Sequence, residues 1–388
     1  MKPLSQATTT VIPSPIREMF NKALGMEDVI SFTVGEPNFE TPKHIVEAAV
    51  KALRSGAHRY TPNAGILPLR QAICEATLKS HGICYDPDTE VIVTAGGMEA
   101  LILTMMTLLD AGDELILSDP CWTNYSRQVL LCSGQPKFVP VTAENNFMFS
   151  PELLEQAITD RTKAILINSP ANPTGGVATK AALEKMAEIA RKHDLYVITD
   201  EVYQRIVYGD HQALSIASLP QMKERTIIIN SFSKTYAMTG WRVGYAIGPS
   251  QVIANMVKLQ ENVVACVNSA AQFGALAALT GPQDAVDDMV SAYAKRRDMI
   301  VEEFNTIPAL RCFAPQGTFY GFIDISETGM KASDFALDLL KEERVILVPG
   351  HAFGTDSDRY VRISFATSEA NILEGTARIR RYMQKRMK

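Results

Sequence analysis

TIIINSFSKTYAMTGWR, residues 226–242, runs from three consecutive isoleucines through two serines to a lysine, and reaches an arginine eight residues later. The β-branched run Ile227-Ile228-Ile229 reads as the end of a buried strand. No acidic residue lies between Ser231 and Tyr245 to pair with Lys234. An amine free in water has a pKa near ~10.4 and is seldom a nucleophile at neutral pH. Desolvation at a strand end, beside a second cation such as Arg242, lowers that value. A neutral amine forms an imine with an aldehyde or ketone. The ordinary fate of a lysine is a solvated surface charge, so the surroundings of this one decide its meaning.

The same grammar, an apolar strand followed by a polar turn and a helix, recurs outward from this stretch. Glu90–Thr94 is strand-like and AGGMEALILTMMTLL (95–109) helix-like. ELILSDP (114–120) is a strand followed by a helix bearing Trp and Tyr, and AILINSP (164–170) is a strand followed by a helix from Thr179 to His193. LYVITDEVY (195–203) and TIIINSFS (226–233) read as further strands. Short β-branched runs alternating with helices indicate an α/β fold, a mostly parallel sheet between helices. From about Val252 to about Phe304 the pattern is helical. TFYGFIDI (318–325), a helix from Ala332, RVILVPG (344–350), YVRISFAT (360–367) and a terminal helix then read as a smaller α+β unit. The reading divides the chain into residues 1–45, a segment joining the small domain, 46–285, a large domain, and 286–388, the small C-terminal domain.

With 388 residues the chain exceeds one simple core, and its 46% hydrophobic and 21% charged residues are those of an ordinary globular protein. A net charge of −5 with scattered Lys and Arg argues against nucleic-acid or anionic-membrane partners. The six cysteines form no C-x-x-C pair and no spacing with His suited to zinc, so they read as reduced thiols of a cytoplasmic protein. The first 20 residues lack the apolar core of a signal peptide, and the longest apolar stretch, near Ala100–Leu109, is too short to span a bilayer.

In open α/β sheets, ligands bind at the carboxyl ends of the strands. Several chemically distinctive residues fall there. Gly96-Gly97-Met98, between strand and helix, offers backbone N–H groups to a phosphate, though a glycine pair alone also makes a tight turn. Arg242, Ser231 and Ser233 add a guanidinium fork and two hydroxyls. Asp200 ends an apolar strand, where an acid either caps a turn or faces a cationic ring nitrogen. Such a pair at ~3 Å, with an effective dielectric of ~20, gains roughly 5 kcal/mol of gross attraction. Tyr203 can hydrogen-bond a phenolic oxygen, and Trp122 offers a flat face for stacking, each being otherwise an ordinary packed aromatic. Phosphate, ring cation, stacked ring and imine-forming lysine together describe pyridoxal 5′-phosphate, an electron sink for carbanions.

VGEPNFETP (34–42), RYTPNAGILPLR (59–70), TAGGMEA (94–100), DPCWTNY (119–125), NSPANPTG (168–175), DEVY (200–203), SFSKTYAMTGWRVGY (231–245), PQGTFYGF (315–322), VPGHAFG (348–354) and VRISFA (361–366) carry a resemblance over nearly the whole chain. The sequence resembles the class I and II aminotransferases of the pyridoxal-phosphate fold type I, in the branch of prokaryotic aspartate and aromatic aminotransferases. The resemblance implies that Lys234 is the Schiff-base lysine and proton shuttle, and that Asp200 contacts the pyridine nitrogen. It gives the phenolic oxygen to Tyr203 and Asn172, stacking to Trp122, and the phosphate to Gly97, the Met98 backbone, Ser231 and Arg242, with Ser233 a second candidate. Arg362 matches the arginine that grips the substrate α-carboxylate, with Asn172 orienting the substrate, the Gly35 backbone a second contact and Trp122 also against the substrate. Tyr60 matches a tyrosine that reaches a phosphate in the neighbouring subunit, which implies a homodimer with shared active sites.

The activity so implied is ping-pong transfer of an amino group from an L-amino acid to a 2-oxo acid such as 2-oxoglutarate. The donor is left open between aspartate, an aromatic amino acid and a broad range. Some dicarboxylate-specific relatives carry a basic residue after the glycine pair, where this chain has Met98; Ser14, Ile16 and Met98 are read as lining the side-chain pocket. His351 is read as a loop histidine or a residue at the entrance. A β-eliminating lyase on the same fold remains an alternative. A regulator with an aminotransferase-like domain needs a DNA-binding segment ahead of VGEPNF, for which the 33 preceding residues leave no room.

Overall fold

Val91–Thr94, buried throughout, leads into Gly96, whose φ of +81° turns the chain into the helix Gly97–Leu108. A left-handed residue is needed there, and only glycine takes that conformation at little cost. Repetition of this strand–turn–helix unit builds the body of the molecule. The computed structural model describes residues 1–11 and 15–386. In chain order its strands are β1 (Ile30–Ser31), β2 (Val91–Thr94), β3 (Glu114–Asp119), β4 (Gln135–Pro140), β5 (Thr162–Asn168), β6 (Tyr196–Asp200) and β7 (Thr226–Ser231). There follow β8 (Gly244–Ile247), β9 (Arg311–Cys312), β10 (Tyr320–Asp324), β11 (Val345–Ile346), β12 (Val348–Pro349) and β13 (Tyr360–Ser364).

Strands β2 to β8 form one sheet in the order β2-β8-β7-β6-β5-β3-β4. From β7 to β4 neighbours run parallel, and β8 runs antiparallel to β2 and β7. The isoleucine triplet shows why the strands are apolar on both sides. Ile228 packs with Val91, Val93 and the helices Leu67–His81 and Ser269–Thr280, whereas Ile227 and Ile229 pack on the opposite face with Ile92 and the helix Gly97–Leu108. Alternate residues point to alternate faces, and helices cover both, so the alternation of polar residues disappears. Each fully buried isoleucine contributes about 1.5–3 kcal/mol. The fold is therefore the expected α/β one, a mostly parallel sheet among helices.

A second, antiparallel sheet, β12-β13-β10-β9, packs with the helices Asp284–Asn305, Ala332–Glu343 and Glu369–Arg386 around Phe319, Phe335, Ile363 and Tyr382. β1 pairs in parallel with β11, Ile30 opposite Val345, and Phe32 is fully buried in the same core. Among the described residues, no helix is long and apolar enough to cross a membrane.

Local departures from the sequence reading concern strand ends. β7 stops at Ser231, whose Oγ accepts the Ser233 N–H at 3.0 Å, and this cap starts a single helical turn, Phe232–Thr235, that carries Lys234. β6 stops at Asp200, because its carboxylate accepts the Val202 N–H at 3.2 Å and turns the chain. Trp122 precedes the helix Asn124–Leu131, which holds Tyr125. β4, at one edge of the sheet, has mostly polar or exposed residues and escaped the sequence reading for that reason.

Candidate active site

The carboxyl ends of β5, β6 and β7 open into a cavity of about 300 Å³, within the range of small-molecule sites. Asp200 lies on its floor and is 4% exposed. Its Oδ2 accepts the Tyr125 hydroxyl at 2.7 Å and its Oδ1 the Val202 N–H. Burial pushes the carboxyl up to about 6, against the two hydrogen bonds and aided by neighbouring Glu201. Among the described residues no cation forms an ion pair with it.

Lys234 enters from the turn after β7, and its Nζ donates to the Gly35 carbonyl at 2.5 Å. Burial lowers its pKa to about 8; Glu36 pulls it back up, Arg242 and Arg362 push it down, and Asp200 opposes them. Gly35 must lack a side chain, since a Cβ there would collide with the Tyr320 hydroxyl.

Arg362 projects from β13 and is 2% exposed. Its Nη1 donates to Asn172 Oδ1 at 3.1 Å and its Nη2 to the Thr33 carbonyl at 2.9 Å. The guanidinium carbon stands 4.4 Å from the Tyr320 ring centroid and 4.8 Å from that of Phe353, while Nε is buried without a partner among the described residues. Asn172 is held in turn by its N–H to Asn168 Oδ1 at 2.8 Å, and Asn168 Nδ2 donates to the Asp200 carbonyl at 3.0 Å. The NSPANPTG loop is thus pinned to the end of β6. Tyr203 completes this side, its hydroxyl 3.2 Å from that of Tyr320.

On the opposite side lies the amino end of the helix Gly97–Leu108, whose first N–H groups have no partner within the helix. Arg242, at a left-handed φ of 56°, sends Nη1 to the Thr239 carbonyl at 3.0 Å and brings Nη2 against Gly96, where a Cβ would approach to 2.6 Å. Ser231 and Ser233 hydroxyls are 2.8 Å apart beside them. Met98 lines the cavity and its carbonyl accepts Gln128 Nε2 at 3.0 Å. Trp122 closes the top, edge-on to Tyr125 with ring centroids 5.3 Å apart.

The cavity therefore gathers Gly35, Gly97, Met98, Trp122, Asn172, Asp200, Tyr203, Ser231, Ser233, Lys234, Arg242 and Arg362 from across the chain. Tyr60 stands apart, 88% exposed and outside the cavity. Ser14 and the Ile16 side chain lie outside the described residues, and His351 faces Asp358 at 3.5 Å, away from the cavity. The sequence reading passed over Tyr125, Tyr320, Asn168 and Thr33. Tyr125 and Tyr320 lie inside two of the quoted motifs, and their hydroxyls were the available signal, because a buried phenol needs a partner.

The aminotransferase class I and II family matches residues 27–379. The chain is 41% identical over 385 residues to an aspartate aminotransferase of Pyrococcus abyssi, covering 99% of each. It is 40% identical over 385 residues to aromatic-amino-acid aminotransferase 2 of Thermococcus litoralis, again covering 99% of each. The structure of Thermus thermophilus aspartate aminotransferase with maleate superposes with a TM-score of 0.93 at 37% identity, over 98% of this chain and 100% of that one.

Proposed function

The chain belongs to the class I and II aminotransferases, and from that footing we propose that it transfers an amino group from aspartate or an aromatic L-amino acid to 2-oxoglutarate with bound pyridoxal 5′-phosphate. The observation that carries the reading is the meeting, in one cavity, of a depressed amine and a buried carboxylate without an ion pair. A buried carboxylate calls for a cation, and a protonated pyridine nitrogen is one. The glycine-lined helix end with Arg242, Ser231 and Ser233 fits a phosphate, and Tyr203 with Asn172 fits a phenolic oxygen. Donors named for relatives, aspartate in one and aromatic amino acids in another, support the substrate class.

When bound, the cofactor supplies a cationic ring that stabilises the carbanion left at the substrate Cα. The chain's own residues do the rest. Asp200 would hold a proton on the ring nitrogen, and Trp122 would cover a face of the ring. Arg362 forks onto the α-carboxylate, a bidentate match for a planar anion, with Gly35 beside it. Asn172, bridging Arg362 and the β6 end, orients the substrate so that its Cα–H faces Lys234. The Lys234 amine, held at about 8 rather than ~10.4, would take the Cα proton and pass it to the cofactor carbon that is to carry the amino group, so that addition of water at Cα releases a 2-oxo acid. Two alternating half-reactions make the kinetics ping-pong.

The same reading extends to the assembly. Exposed Tyr60 of one protomer would hydrogen-bond the phosphate held in its partner, in a homodimer with shared active sites. The chain divides into residues 1–45 with the small domain, a large domain 46–285 and a small domain 286–388; the β1–β11 pairing supports the first of these.

The test is transfer of ¹⁵N from singly added amino acids to 2-oxoglutarate in cofactor-supplied protein. Labelled glutamate from aspartate or an aromatic donor is expected. No transfer, or ammonia with pyruvate from a β-substituted amino acid, overturns the reading.

A further inference from the structure

The residue after Asp200 points away from the cavity into a buried polar cluster that the chemistry above does not use. Glu201 is 1% exposed, and its Oε2 lies 3.2 Å from Nε2 of His81, the last residue of the helix Leu67–His81, whose side chain is 6% exposed. The same Nε2 is 3.1 Å from Gln204 Oε1. Thr199 Oγ1 donates to Glu201 Oε1 at 3.0 Å, and the Glu201 N–H is fixed on the Ile229 carbonyl at 2.9 Å. A buried carboxylate facing a neutral imidazole lacks a counter-charge, a costly arrangement; an imidazolium supplies it.

We propose that His81 is a positioning residue for the reaction: its ion pair with Glu201 cancels a negative charge directly behind Asp200 and so sets the potential in which Asp200 and the cofactor ring nitrogen work. This rests on the functional reading for its consequence at the ring, but not for its effect on Asp200. Burial disfavours charge on His81, yet the Glu201 carboxylate 3.2 Å away, with the Gln204 amide oxygen, outweighs it and holds the imidazole above its ordinary 6.5. Glu201 in turn raises Asp200, after burial.

Tyrosines, a cysteine and an ion pair surround the Glu201–His81 pair. Tyr85 and Tyr245 face Glu201, and burial, with Glu201 adding, pushes both phenols well up. Cys74, on the same helix as His81, is raised to about 11 by burial first. Glu90 and Glu224 approach Tyr85; Glu90 pairs with Lys223 at 3.1 Å, whose Nζ lies 4.7 Å from the Tyr85 ring centroid. His81 is the group of this cluster whose charge faces Glu201 directly. Its deprotonation leaves Glu201 unbalanced and raises the proton affinity of the acids beside it.

The experiment titrates the Asp200 carboxyl in cofactor-free protein by ¹³C NMR, with Asp200→Asn identifying its signal. The wild-type midpoint is near 6. His81→Gln moves it up by about half a unit to one unit, as expected when the unit charge that balances Glu201 is removed. Adding Glu201→Gln to that variant returns it to the wild-type value. The pH midpoint of the bound cofactor's absorbance follows the same order. A midpoint that ignores His81→Gln, or a shift that persists in the double variant, overturns the proposal, since a merely structural loss is not cured by removing the carboxylate. If His81→Gln does not fold, the imidazole is titrated in wild-type protein, and a neutral His81 at pH 6 overturns it. Failure of the cofactor to bind sinks the functional reading alone.

Discussion

Tyr125→Phe removes one atom from the floor of the site and has a consequence whose size and pH dependence can be worked out. The phenol donates to Asp200 Oδ2 at 2.7 Å, with Tyr125 1% and Asp200 4% exposed. A hydrogen bond to a charged group contributes about 1.5–3 kcal/mol. At about 1.4 kcal/mol per pH unit, its loss raises the Asp200 midpoint in cofactor-free protein by about one to two units above the present value of about 6. The folded value already exceeds the ordinary 3.8. The stability this group contributes is therefore full below about pH 4 and lost as pH rises through 6, about 3 kcal/mol in all. In Tyr125→Phe the loss continues to higher pH. The two proteins should differ little at pH 4.5 and by about 1.5–3 kcal/mol at pH 8. Urea unfolding of cofactor-free protein across that range measures the difference, and in an Asp200→Asn background the pH dependence should vanish. A difference independent of pH would refute the reasoning, because the phenol would then not be stabilising the charged carboxylate.

Three further outcomes are expected. An amine-selective acylating reagent should label Lys234 of cofactor-free protein with a midpoint near pH 8, whereas exposed lysines react only near ~10.4; mass spectrometry of the labelled peptide reads both. Arg362→Lys replaces a fork bonded to Asn172 and Thr33 by a point charge and loses the stack on Tyr320. The KM for the amino donor should rise roughly 10- to 100-fold, and an unchanged KM would remove Arg362 from carboxylate binding. Gly35→Ala drives a Cβ into the hydroxyl of buried Tyr320; a loss of about 1–3 kcal/mol in urea unfolding is expected, and no loss would mean that the segment shifts freely.

The fold was legible because strands buried on both faces need runs such as Ile227-Ile228-Ile229, and such runs have few other uses in a chain of this composition. The edge strand β4 was not legible, since Gln135–Pro140 carries polar, proline and exposed residues and so has no continuous apolar run. Lys234 and Asp200 drew attention because they stand where apolar periodicity breaks, whereas Asn172 entered through the resemblance. Their partners could not be read in this way. Tyr125 meets Asp200, and Arg362 meets Asn172 and Thr33, only through strand order and the return of the N-terminal segment onto β11.

What the linear order of residues determined is the set of chemical groups and the faces they take, because side-chain direction follows the local period of strand and helix. What only the tertiary structure decided is which group each one faces and how dry the place is. Desolvation sets Lys234 at about 8 and Asp200 at about 6, and it has no counterpart in sequence: it arises from atoms that distant segments bring together.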